Sequence, residues 1–228
     1  MLSMRHDSHL GEVIRGTSWA MGTKILALLF GYGFILLISN IFGARVVGLF
    51  NLSFAVVSII TLISLMGFPM AVLRFVGEYS DDHALLDVLK KMLFLSGGIS
   101  LALTLVFYEY SDFIAITIFH DPKLRDFLII MLLSVPFSVV SGLLVEFVRG
   151  LRLIRSSELI RNSLSLFKLV IALLLVFGLR CGDLTPNIAQ VGGAIFVCLI
   201  AVSFVWNMVR KMTFTKASEV SSGKILNV

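Results

Sequence analysis

Charge is scarce in this sequence. Asp, Glu, Lys and Arg supply 14% of the 228 residues, against about 25% in a soluble globular domain. Hydrophobic residues make up 58% and the mean hydropathy is +1.00. A soluble chain of this length has no core large enough to hide that much apolar surface, so lipid must be part of its solvent. Cysteine is rare too. Cys181 and Cys198 show no metal-ligand spacing and have no histidine nearby, which argues against a metal site or a disulfide. His6, His9, His83 and His120 fall in tails or joins, so an intramembrane serine protease lacks its base. No paired carboxylates converge within the apolar runs and no glycine-rich phosphate loop is present,. The sequence points away from an enzyme and implies no cofactor.

What is there instead is a series of six apolar stretches of bilayer length, which takes about 20 residues at 1.5 Å each. They run near Thr17–Phe42, Val46–Gly67, Leu86–Tyr108, Leu124–Val148, Leu159–Leu179 and Ile188–Met208, with turn residues such as Gly43, Asp121-Pro122 and Gly182 to Pro186 between them. The expected fold is an all-α integral membrane domain over residues 17–208, with an N-tail at 1–16 and a C-tail at 209–228. Arg5 and Arg15 precede the first stretch as in a signal peptide, but its apolar region is too long for one and more spans follow,.

The net charge of +5 and pI of about 9.4 would suggest nucleic acid in a soluble protein. Here the cations lie mainly at the ends of apolar runs, where membrane topology accounts for them, so no nucleic-acid partner is expected. With the N-terminus inside, thirteen Lys and Arg residues fall on the cytoplasmic side and four (Arg45, Lys123, Arg125 and Arg180) outside, while Lys24 and Lys168 lie within spans. This bias predicts cytoplasmic N- and C-termini and a multi-pass protein of the plasma (inner) membrane.

Charges within a bilayer are expensive and face a bundle interior or water. Lys168 lies near the middle of the fifth stretch. At 100° per residue, Ser157, Arg161, Ser165 and Lys168 share one face, while Leu166, Val170 and Leu173 occupy the other,. The result is a cationic, hydroxylated stripe about 16 Å long from the cytoplasmic end to mid-membrane. Such a stripe suits an anionic group, phosphate above all. The alternatives are that Arg161 snorkels to the headgroups and that Lys168 is neutral or paired with a carboxylate. Glu146, the only acid well inside the apolar runs, is a partner for Arg149 or Arg161. Lys24 is either cavity-facing or interfacial, with Gly31 one heptad on to admit another helix or a ligand. Pro136, among Ser134, Ser138 and Ser141, predicts a kink in the fourth stretch and is a candidate transport hinge. Gly97-Gly98 and Gly192-Gly193 suggest close helix packing.

Several segments then resemble one family in the same order. Gly16-Thr17-Ser18-Trp19 looks like the start of the first helix of polysaccharide flippases. Phe42-Gly43-Ala44-Arg45-Val46-Val47-Gly48-Leu49-Phe50-Asn51 is similar to that family's LGPEEFGLFN join. The stretch from Gly67 to Tyr79, GFPMAVLRFVGEY, resembles its GLPTALVRFIAEY segment, and Arg149-Gly150-Leu151 its RGL. The family sits in a superfamily with multidrug and toxin extruders and lipid II flippases. The resemblance implies a membrane transporter moving polyprenyl-pyrophosphate-linked oligosaccharide between leaflets for cell-surface polysaccharide assembly. It also implies alternating access by two lobes around a cationic cavity. Arg45 and Arg74 match family positions, with substrate contact or simple topology and headgroup contact as their two readings. Family members have 12 to 14 helices, so this chain resembles one N-terminal lobe, half-length or truncated, ending in an inter-lobe linker and needing a second lobe or partner chain. The alternatives are a non-transporting scaffold or degenerate lobe in glycan assembly, or half of a multidrug exporter.

Overall fold

The computed structural model describes the backbone of residues 3–78, 82–179 and 182–225, and the side chains of 19–76, 85–178 and 182–210. Arg5, Arg15, Arg180, Cys181, Lys211, Lys216 and Lys224 therefore lie outside the described side chains. Every described element is helical and no strand occurs among the described residues.

Five continuous helices are long and apolar enough to cross a membrane, and the first is two spans in one. It covers 47 residues, Trp19–Leu65, about 70 Å if straight, more than twice the roughly 30 Å hydrocarbon core. Gly43 breaks it at φ 82°, ψ 172°, a conformation that side chains with a Cβ avoid. Phe34 and Phe50 would lie about 24 Å apart on a straight helix, yet their ring centroids are 5.5 Å apart. The chain doubles back at Gly43. The first span (19–42) and second span (44–65) form a hairpin, followed by a third (Leu85–Glu109), fourth (Leu124–Gly150), fifth (Ile154–Gly178) and sixth (Gly182–Arg210). Alternate joins therefore lie at opposite ends of the bundle, here termed the Gly43 end and the Arg149 end.

Two differences from the expected elements have clear causes. A separate helix, Phe68–Glu78, follows the second span, because Met66 (φ 42°) and Gly67 (φ 79°) turn the chain. The fourth span is interrupted at Leu133, between helices Leu124–Leu132 and Ser134–Gly150. Pro136 has no N–H for the Leu132 carbonyl four residues back, the Leu133 N–H turns to Ile130 O three residues back at 3.2 Å, and Ser134 Oγ donates to Met131 O at 2.7 Å. The break falls at Leu133, three residues before the proline expected to kink the span, with Leu133 itself in helical conformation (φ −61°, ψ −23°).

Burial separates the spans into centre and rim. In its most apolar stretch the fourth span is 56% buried and the sixth 50%, against 11% for the third and 17% for the fifth. One apolar core fills the Gly43 half, around Phe34, Phe50, Leu128 and Met131. A second fills the Arg149 half, around Val72, Leu143, Phe147 and Ala201. Phe94, Leu62 and Phe177 are more than three-quarters or about three-quarters exposed, the inside-out pattern expected of helices solvated by lipid tails.

The two glycine pairs behave differently. A Cβ on Gly192 would come within 3.0 Å of Ile171 Cδ1, and one on Gly193 within 3.2 Å of Leu164 Cδ1 and 3.4 Å of Lys168 N. Those glycines let the sixth span lie against the fifth. Gly97 and Gly98 have nothing within 4 Å of such a Cβ, so the close packing expected of them is absent among the described residues.

Candidate functional site

The fifth span is seated by neighbours on both sides. Gly31 faces it, a Cβ there falling 4.0 Å from Ser165 Oγ, and Gly33 meets Leu169 Cδ2 at 3.8 Å. Asn162 Nδ2 donates to Thr23 Oγ1 of the first span at 3.1 Å. With the first span on one flank and Gly193 on the other, the stripe is turned toward neighbouring spans while Leu166, Val170 and Leu174 stay exposed.

Arg161 does not snorkel alone. Its Nη2 donates to Glu146 Oε1 on the fourth span, and Glu146 Oε2 lies 3.8 Å from Arg149 Nη1. Both partners weighed from the sequence are thus engaged by one carboxylate. Beside this cluster lies a cavity of about 190 Å3 between the fourth, fifth and sixth spans, lined by Ser138, Ser141, Gly142, Glu146, Arg161 and Ala194 among others. Ser138, Ser141, Glu146 and Arg161 are the polar groups of its lining, and Val145, Leu164 and Val197 are among its apolar ones. Along the fourth span it extends about 12 Å, from Glu146 to Ser138,.

Lys168 sits seven residues beyond Arg161, about 10 Å further along the axis. It does not line that cavity. Its Nζ lies 4.5 Å from the Phe34 ring centroid and 5.9 Å from that of Phe50, against the negative faces of two rings from the first hairpin. No carboxylate pairs with it among the described residues. Carboxylate pairing, one expectation for this lysine, gives way to aromatic contact. Phe34 and Phe50 were not legible as its partners, because an apolar residue carries no polar signal of its own.

The other candidates divide. Ser157 is fully buried and its Oγ donates to Ile154 O at 2.9 Å, so it is spent on its own helix. Ser165 faces Gly31. Lys24 is exposed and makes no ion pair among the described residues. Arg45 joins Asp121 at 3.0 Å, pinning the first hairpin turn to the join before the fourth span. That guanidinium and the Lys123 backbone N–H hold the Asp121 carboxyl below its ordinary value. Arg74 is exposed on the helix Phe68–Glu78.

The sequence reading missed Asn187, which it left outside the sixth stretch. This residue is fully buried, and its Nδ2 donates to Phe127 O at 2.7 Å and Ser53 Oγ at 3.2 Å, tying three spans together. Gln190, one turn on, is also buried. Their three-residue spacing on one helix face was the available signal.

Two of the family-like segments touch. A Cβ on Gly150 would lie 2.9 Å from Val76 Cβ, so the segment Gly67 to Tyr79 and the triplet Arg149-Gly150-Leu151 form a single contact rather than independent motifs. A family model described as polysaccharide biosynthesis protein matches residues 13–224. The chain belongs to that family. No curated protein and no solved structure gives a match. Membership places this bundle among membrane proteins of polysaccharide biosynthesis, and the described groups of three or more His, Cys, Asp or Glu include none able to hold a metal.

Proposed function

We propose that this polysaccharide biosynthesis protein is a transporter component that moves polyprenyl-pyrophosphate-linked oligosaccharide from the inner to the outer leaflet of the plasma membrane. The Arg149 end, with both termini, is the cytoplasmic side on this reading. The observation that carries it is the polar path along the fifth span. A cavity lined by Arg161 lies between the fourth, fifth and sixth spans, and Lys168 stands about 10 Å deeper on the same helix, outside that cavity and with no carboxylate partner among the described residues. A pyrophosphate engages guanidinium and ammonium groups in turn, with Ser165 between them and Lys24 on the adjoining span as an outlying contact. Arg45 serves structure, since Asp121 occupies it. The break before Pro136 lies about 8 Å along the fourth span beyond Ser138, the innermost cavity residue on that span,, and is the proposed hinge. Alternating access requires a second lobe, on this protein's own chain or a partner.

The test is a flipping assay in proteoliposomes with a fluorescent polyprenyl-pyrophosphate sugar and a second lobe supplied, comparing Lys168→Ala and Arg161→Ala with the parent. Each variant is expected to lower the flipping rate by about tenfold or more, the loss of one charge-assisted contact. Unchanged rates in both would remove the reading.

A further inference from the structure

The substrate path just proposed begins at an arginine that is already occupied. Arg161 lies about 10 Å inside the fifth span, where a guanidinium without a counter-charge is costly. Glu146 supplies that charge from the facing fourth span. The same carboxylate has a second cation within reach: Arg149 Nη1, one turn along its own helix and 3.8 Å from Glu146 Oε2. Oε2 itself accepts no hydrogen bond. One carboxylate oxygen is therefore bonded to Arg161, while the other only approaches Arg149, which stands at the end of the span and is about half exposed.

We propose that Glu146 is a built-in competitor for the anion subsite at Arg161, yielding it to a phosphate-bearing group by swinging toward Arg149. This rests on the reading that Arg161 meets an anionic headgroup. A diphosphate carries more charge and more acceptor oxygens than one carboxylate, so it outcompetes Glu146 when it arrives in the cavity. When the headgroup moves on toward Lys168, Glu146 closes back on Arg161. The exchange keeps the guanidinium compensated at every stage. It also limits how tightly the subsite holds its anion, and a carrier that must release its cargo needs such a limit. Arg149 is a positioning residue here: it receives the displaced carboxylate and does not touch the anion.

The experiment reads binding of radiolabelled inorganic pyrophosphate to the full chain in phosphatidylcholine nanodiscs. E146Q is expected to bind about tenfold more tightly than the parent, equivalent to about 1.4 kcal/mol, and E146Q/R161Q to lose that gain. R149Q should weaken binding in the parent, where Glu146 then has nowhere to go, and leave E146Q unaffected. A merely structural Arg149 would not distinguish the two backgrounds. Binding by folded E146Q no tighter than by the parent, or a gain that survives R161Q, overturns the proposal. Should E146Q fail to give a cooperative unfolding transition, E146D takes its place. Its carboxylate is drawn back by one methylene and should also tighten binding, and parent-like or weaker binding again overturns the proposal. Adding phosphatidylglycerol to the discs separates the anion sources. A gain that shrinks with its fraction assigns the subsite to lipid-borne phosphate in general, a constant gain to the diphosphate, and both support the competition. Flipping is measured separately, so unchanged flipping by Lys168→Ala and Arg161→Ala removes the flippase reading while tighter binding by E146Q retains the competitor.

Discussion

Replacing Phe34 with leucine keeps apolar bulk at a fully buried position but removes the ring face on which Lys168 rests. Two losses follow and they can be separated. The smaller side chain forfeits packing, a large-to-smaller core change of about 1–2 kcal/mol, and that loss is the same whatever stands at 168. The second loss needs both partners: the Nζ to Phe34 centroid distance of 4.5 Å is well inside the roughly 6 Å range of cation–π attraction, worth up to about 2 kcal/mol where water is excluded. Phe50, at 5.9 Å, is at the limit of that range and recovers only part of it. A double-mutant cycle of Phe34→Leu with Lys168→Met, read by reversible unfolding in mixed micelles, should therefore give a coupling of about 1–2 kcal/mol. Adding Phe50→Leu should raise the coupling further. Additivity within about 0.5 kcal/mol, the scatter for independent sites, would refute the claim that the aromatic pair holds the ammonium. It would return Lys168 to a group without a specific partner. If the coupling is present, Phe34→Leu should also slow flipping, because the ammonium loses its fixed position.

Gly150→Ala places a methyl 2.9 Å from Val76 Cβ, and overpacking of this kind costs about 1–3 kcal/mol. The same unfolding assay should show that loss, and Val76→Gly, which removes the crowding Cβ along with both methyls, should cancel the difference that Gly150→Ala makes; an unaffected Gly150→Ala protein would mean the contact yields freely. The Arg45–Asp121 pair predicts a pH dependence. Because Arg45 lowers the folded-state pKa of Asp121 below its ordinary 3.8, its stabilisation is fully present above that ordinary value and fades as pH falls through the lowered one. Asp121→Asn should therefore flatten the acid limb of the stability profile below about pH 4 and leave it unaltered near neutrality in shape, with a small effect overall because the pair is exposed.

Much of the architecture was readable from local chemistry. A backbone in lipid must satisfy its own hydrogen bonds, so each apolar run of bilayer length has one outcome, and Gly43 and Gly182 mark turns because their positive φ suits a residue with no Cβ. The helix break near Pro136 lies where a proline N–H is missing,. The common face of Arg161, Ser165 and Lys168 follows from helical pitch alone. Other features needed the neighbours. Gly97-Gly98 and Gly192-Gly193 are the same dipeptide in equally apolar runs, yet only the second has a helix against it. Asn187 reads as a loop residue beside Pro186 and is instead a buried tie between spans.

The sequence by itself determined that this protein is a helical membrane bundle, where its polypeptide turns, and that one helix carries cations on one side. Those properties depend on residues within a turn or two of each other. Only the tertiary structure decided what the cations meet: Glu146 for Arg161, the rings of Phe34 and Phe50 for Lys168, and a cavity whose lining includes Arg161. Those partners stand on other spans, far away in sequence. Which helix faces come together is set by shape, through glycines such as Gly31 and Gly193 that let backbones approach, and helical periodicity carries no record of it.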